Sequence, residues 1–165
     1  MKIIGTMRAL EETRGAVRIE DTYDTDIDDL WEACTKPERL ARWIAEVSGD
    51  LRLGGEFDAS FTSGWEGTGR VDACEPPRRL LVTTTEAGEP DEQVIEVTLT
   101  PDGDRTKLII EERGLPIDHL AAYGAGWQVH AEDLAAYLTS SERCDRQTRW
   151  QELIPFYRQI VVGEE

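Results

Sequence analysis

Residues 116–139 read PIDHLAAYGAGWQVHAEDLAAYLT, and across them the periodicity of the chain changes. Before Gly114 apolar and polar residues alternate. From here Leu120, Tyr123, Trp127, His130, Leu134 and Tyr137 or Leu138 recur at spacings of three and four. That spacing draws one apolar stripe along a helix roughly 35 Å long at 1.5 Å per residue. A helix of that length can cross the whole concave face of a sheet.

Working outward, residues 93–100 and 106–112 flank Pro101-Asp102-Gly103-Asp104, a hairpin turn. Residues 79–85 (RLLVTTT) are rich in β-branched side chains, and residues 64–71 run into a strand that ends at Glu75-Pro76-Pro77. In LRLGGEF, Gly54 and Gly55 separate two alternating runs, a second hairpin signal. Phe57, Ala59 and Phe61 then share one face, with Asp58 and Ser60 on the other. Residues 16–23 (AVRIEDTY) have the same two-residue period and supply the first strand. After them Asp24, Asp26, Asp28 and Asp29 precede Leu30 and Trp31, which caps a short helix reaching about Thr35. Pro37 opens a second short helix ending near Ile44, with Leu40, Trp43 and Ile44 on its apolar face.

The expected order is strand, two short helices, six strands and a long helix. This is an α+β fold, a curved antiparallel sheet wrapped around a long C-terminal helix. Residues 1–15 form an N-terminal extension in this reading, 16–139 the domain and 140–165 a C-terminal extension. In the last segment Trp150, Leu153, Ile154, Tyr157, Ile160 and Val161 fall at helical spacing, but Pro155 should kink or restart a helix. The tail is expected to pack on its own domain or across a homodimer.

The ordered phrases resemble the START-related helix-grip superfamily, SRPBCC, and within it bacterial proteins similar to the C-terminal domain of the heat-shock ATPase activator. The matching residues begin with Asp28-Asp29-Leu30-Trp31 and Thr35-Lys36-Pro37-Glu38-Arg39-Leu40-Ala41-Arg42-Trp43. Asp50-Leu51-Arg52-Leu53-Gly54-Gly55-Glu56-Phe57, Gly69-Arg70-Val71 and Glu75-Pro76-Pro77-Arg78-Arg79-Leu80 follow. Val97-Thr98-Leu99-Thr100-Pro101-Asp102-Gly103 and Gly126-Trp127, with Leu134 and Tyr137-Leu138, complete the set. The resemblance implies the helix-grip fold. It leaves function open, because ligand carriers, cyclases, hydrolases and co-chaperone domains share that scaffold. Two departures stand out: the tail runs past the usual family end, and His130 occupies a position that ordinarily holds an apolar residue.

The chain has 165 residues, enough for about one domain. Thirty-four acidic residues against 18 basic ones give a formal charge of −16, which argues against nucleic-acid and anionic membrane partners. The simplest role of that charge is solubility. Cys34, Cys74 and Cys144 are widely spaced and odd in number, which fits neither a disulfide framework nor a redox or metal motif. Together with an N-terminus that lacks a signal-peptide pattern, they predict a cytoplasmic protein.

No metal or other cofactor is expected. His119 and His130 are eleven residues apart on one predicted helix, about 16 Å along its axis, too far to chelate one ion together. There is no G-x-S-x-G elbow, and the glycines of residues 64–69 lie between strands, where they favour a turn or bulge over a phosphate loop. His130 has two readings: a polar group in a cavity, able to bind a ligand or act as acid or base, or a core histidine satisfied by the hydroxyl of Thr83 or Thr84. Of the strand carboxylates Glu56, Asp58, Glu66, Asp72, Glu96, Glu111 and Glu112, alternation turns Glu56 and Asp58 away from Phe57 and Phe61, into water.

The function expected from these residues is binding of a small, largely apolar molecule between helix and sheet. Its walls would be Trp127, His130, Tyr123 and Leu134 facing Phe57, Phe61 and Val82. The alternatives are a chaperone-associated interaction module, which needs an exposed apolar patch, and a cyclase- or hydrolase-like enzyme acting through His130. The sequence favours binding over catalysis.

Overall fold

Where apolar and polar residues alternate, a computed structural model covering residues 2–164 places strands. Strand β1 (Gly5–Ala9) pairs antiparallel with β2 (Arg14–Tyr23), Gly5 opposite Ile19 and Ala9 opposite Gly15. The stretch expected to be an N-terminal extension thus contributes a strand to the sheet. Helix α1 (Ile27–Thr35) starts where Asp26 accepts the amide of Asp29 at 2.8 Å, and α2 (Pro37–Leu40) has Pro37 in its first turn. It ends four residues before the expected Ile44. Trp43, Ile44 and Ala45 are consecutive and all buried, which one helical face cannot achieve, so the chain turns there into β3 (Ala45–Gly49).

Five further strands follow: β4 (Glu56–Phe61), β5 (Glu66–Glu75), β6 (Arg79–Glu86), β7 (Glu92–Asp102) and β8 (Arg105–Pro116). The Gly54–Gly55 hairpin connects β3 and β4, but residues 51–53 lie in its loop. Leu53 is 66% exposed there, and the ladder closes at Gly49 opposite Phe57. Gly49 and Gly54 both have positive φ, a conformation that turns the chain out of the strand.

After a 3₁₀ turn at Ile117–His119 comes α3 (Leu120–Leu138), then α4 (Arg146–Gln159) and a short β9 (Gly163–Glu164). The strands of the described residues form one sheet, in the order β3-β4-β5-β6-β7-β8-β2-β1-β9. All its ladders are antiparallel except β1 with β9. Helix α3 packs against β1, β2 and α4, the helix-grip arrangement. Leu120, Trp127, His130 and Leu134 of the predicted stripe are buried, and Tyr123 is half-buried.

The tail docks along α3. Tyr157 and Leu153 are fully buried, and Tyr157 donates to Gln128 Oε1 at 2.6 Å. Gln128 also accepts the Ile4 amide at 3.3 Å and donates to the Lys2 carbonyl at 2.8 Å, so α4, α3 and the start of the chain share one polar node. Helix α4 runs through Pro155 without the expected break. Pro155 is on the exposed side, where water can satisfy the carbonyl that its missing N–H leaves free.

Candidate functional site

Side-chain parity decides what faces α3 from the sheet. On β8, Leu108, Ile110 and Glu112 share the inner face and are all buried. Val82 and Thr84 of β6 point inward, while the Thr83 hydroxyl bonds Asp72. Helix α3 answers with Tyr123, Trp127 and His130, at spacings of four and three.

Between these surfaces lies a cavity of about 430 Å³. Its sheet wall is made by Phe61, Thr84, Ile95 and Glu112, and its helix wall by Tyr123, Trp127 and His130. Arg146, Gln147 and Trp150 of α4 and Trp65 of the β4–β5 turn contribute to its rim. A second chamber of about 130 Å³ is lined by Phe57, Val82, Trp43 and Val97. The two share Phe61, Thr84, Ile95 and Trp127. The outer space falls within the roughly 300–1,000 Å³ of small-molecule sites.

Of the expected walls, Trp127 and Phe61 line both chambers, Tyr123 and His130 the outer one, and Phe57 and Val82 the inner one. Leu134 is a correction. It is fully buried but lines neither chamber, because it lies a further turn along α3, inside the packed core.

The aromatic groups interlock. Trp127 and Phe61 both approach the His130 ring edge-on, with centroids 5.4 and 5.8 Å away. The Trp127 indole N–H donates to Glu112 Oε1 at 2.8 Å. The hydroxyl expected to satisfy His130 does not do so: Thr83 is engaged with Asp72, and neither Thr84 Oγ1 nor His130 Nδ1 has a hydrogen-bond partner among the described residues.

Burial sets the protonation of both titratable groups. The His130 ring is pushed down to about 3, by desolvation first and then by the nearby Arg146 and Arg143 charges, so it is neutral at pH 7. Glu112 is pushed up to about 7, mainly by desolvation, against the lowering effect of the Trp127 hydrogen bond. Cys34, which lines the inner chamber, is driven to about 12 by burial and stays a thiol. Among the described residues no group of three or more His, Cys, Asp or Glu side chains could hold a metal ion.

Glu112 gives a pH prediction. Its folded-state value lies above the ordinary 4.5, so the stability due to the protonated carboxyl is present below about pH 4.5 and is lost as pH rises through 7. Glu112→Gln keeps an acceptor for Trp127 without the charge. It should exceed the wild type in urea-unfolding stability at pH 8 by up to about 3 kcal/mol, and the gap should shrink towards pH 5. An equal difference at both pH values would mean that the carboxyl does not titrate in this range. His130 acts with the opposite sign: the stability of its neutral ring is present above about pH 6.5 and is lost as pH falls through 3.

The sequence reading placed Glu112 among seven strand acids without choosing it, although its parity with Leu108 and Ile110 marks it as inward. Arg146 and Trp150 were not selected as site residues, since no local pattern says where a C-terminal tail will dock.

The comparisons agree with the fold. Residues 24–139 match the family described as activator of Hsp90 ATPase homolog 1-like protein. The crystal structure of CalU16 from Micromonospora echinospora is similar, with 29% identity, a TM-score of 0.76 and 93% of each chain covered. DynU16, a protein of the dynemicin biosynthetic locus, is 29% identical with a TM-score of 0.72 over 78% of this chain. The match spans about half of DynU16, 48%. The MLL2253 protein from Mesorhizobium loti is 28% identical with a TM-score of 0.67, covering 77% of this chain and 98% of that one. No curated protein matches the sequence.

Proposed function

The chain belongs to the activator of Hsp90 ATPase homolog 1-like family, and from that premise we propose that it binds a small, largely apolar molecule between α3 and the sheet. The observation that carries this reading is the cavity of about 430 Å³, walled by aromatic side chains and adjoining an apolar chamber. Likeness to a protein from a biosynthetic locus supports a small-molecule ligand. The chaperone-associated alternative calls for an exposed apolar surface. The large apolar side chains exposed among the described residues are Leu53, Phe156, Val161 and Val162, mostly aliphatic, whereas Phe61, Trp65, Tyr123, Trp127 and Trp150 line the cavity.

An acid–base enzyme on the same site would rest on Glu112 in place of His130. A carboxyl near 7 can hold or release a proton at neutral pH, and a ring near 3 is too weak a base.

Gly126 provides the test. It lines the cavity, and a Cβ built there meets only Trp150 Nε1, at 3.9 Å. Gly126→Leu should therefore fold, with thermal stability equal to or above that of the wild type, and fill the site. The wild type is expected to bind the neutral probe N-phenyl-1-naphthylamine saturably, at one equivalent, and Gly126→Leu to lose that binding. Unaltered binding in a folded variant, or no saturable binding by the wild type, would sink the proposal.

A further inference from the structure

The polar groups around the cavity are sorted by sign along α3. From Tyr123 to His130 is seven residues, about 10 Å of helix axis. At one end the Tyr123 hydroxyl is pushed up by burial first and then by the nearby acids Glu112, Glu86 and Glu89. Arg146 and Arg143 press on His130 at the other. Among the described residues three polar atoms of cavity-lining residues are buried without a hydrogen-bond partner: His130 Nδ1, Thr84 Oγ1 and Arg146 Nη1. His130 is only 4% exposed and Thr84 3%. Such groups cost stability when nothing meets them; the Arg146 side chain, still 23% exposed, is the most accessible of the three to a ligand.

Arg146 determines what that ligand should offer. A guanidinium has donors only, so the atom opposite must be an acceptor, and an anionic acceptor makes the stronger bond. Its acidic neighbour Asp133 is 3.8 Å away, a charge contact longer than a hydrogen bond. Nearby Glu132 is held by Arg149 at 2.7 and 2.8 Å. Arg146 also lies outside the family match at residues 24–139, on α4.

We propose that the cavity selects an aromatic acid, its rings against Trp127 and Phe61 and its anionic group at the Arg146–His130 end. The proposal rests on the cavity being a ligand site. It makes α4 the element that sets specificity.

Two probes with the same ring system separate the claims: 8-anilinonaphthalene-1-sulfonate, which carries an anion, and N-phenyl-1-naphthylamine, which does not. Calorimetric titration of the full chain should give tighter binding of the sulfonate. Arg146→Gln should weaken the sulfonate about tenfold and leave the neutral probe unchanged, the scale of one charge-assisted hydrogen bond. Asp133→Asn, which frees the guanidinium of its competing carboxylate, should strengthen the sulfonate alone, so the test does not depend on Arg146→Gln folding. Equal affinity of the wild type for both probes, or parallel changes for both in the variants, overturns the proposal. Binding of neither probe overturns the cavity reading beneath it.

Discussion

Replacing Trp127 with alanine is expected to reduce the free energy of unfolding by about 3–5 kcal/mol, the range for deleting a large buried aromatic. Trp127 is 6% exposed and forms the wall shared by both chambers. Its loss would merge and enlarge two spaces that the rigid sheet cannot collapse to fill. A second effect is chemical. The indole N–H is the hydrogen bond that lowers the Glu112 pKa, so its removal should carry the carboxyl above about 7. The penalty should therefore be larger at pH 8 than at pH 5. Trp127→Phe retains most of the ring and none of the donor, and so isolates the pH-dependent share. Urea unfolding of both variants at the two pH values is the measurement. A loss below about 1 kcal/mol for Trp127→Ala would place the ring outside the core.

Much of the architecture could be read from the sequence because local periodicity expresses it directly. The stripe through Leu120, Trp127, His130 and Leu134 lies on α3, and alternation places Phe57, Ala59 and Phe61 on one face of β4. The errors occur where tertiary packing overrides local pattern. Residues 51–53 alternate like a strand, yet the ladder is already closed at Gly49. β1 spans only five residues, and its strand character comes from pairing with β2. Its pairing partner lies beyond a tight turn whose Leu10 and Glu11 amides bond the Arg14 carbonyl.

The cavity walls were legible in part on both surfaces, Phe57, Phe61 and Val82 on the sheet and Tyr123, Trp127 and His130 on the helix. Helical spacing selects Tyr123, Trp127 and His130, but the same rule also picks out Leu134, because spacing cannot distinguish core from cavity. Glu112 was within reach of a parity argument. Arg146 was not. Its place depends on how α4 docks, and that is fixed by contacts of Tyr157 with Gly5, Gly124 and Gln128, far away in sequence.

That docking carries the other large expected effect. A Cβ on Gly5 would come within 2.5 Å of the Tyr157 hydroxyl oxygen, and one on Gly124 within 2.6 Å of its ring. Two glycines therefore form the seat, one on β1 and one on α3, and no larger residue leaves room for the phenol. Tyr157→Ala should empty that seat at a cost of about 3–5 kcal/mol, like other buried aromatic deletions. For a chain of this size that corresponds to a fall in Tm of roughly 10 °C. Tyr157→Phe should cost only about 1 kcal/mol, the hydrogen bond to Gln128. Deleting residues 144–165 should exceed both. It also uncovers the surface under Leu153 and Ile154, removes the Trp150 bond to the Ala122 carbonyl at 3.0 Å, and takes Arg146 from the cavity. The truncated chain should melt earlier, elute as a larger species through its exposed apolar face, and lose probe binding. If it keeps the melting temperature and elution volume of the full chain, α4 is not held by this seat, and Arg146 cannot be the group that orients a ligand.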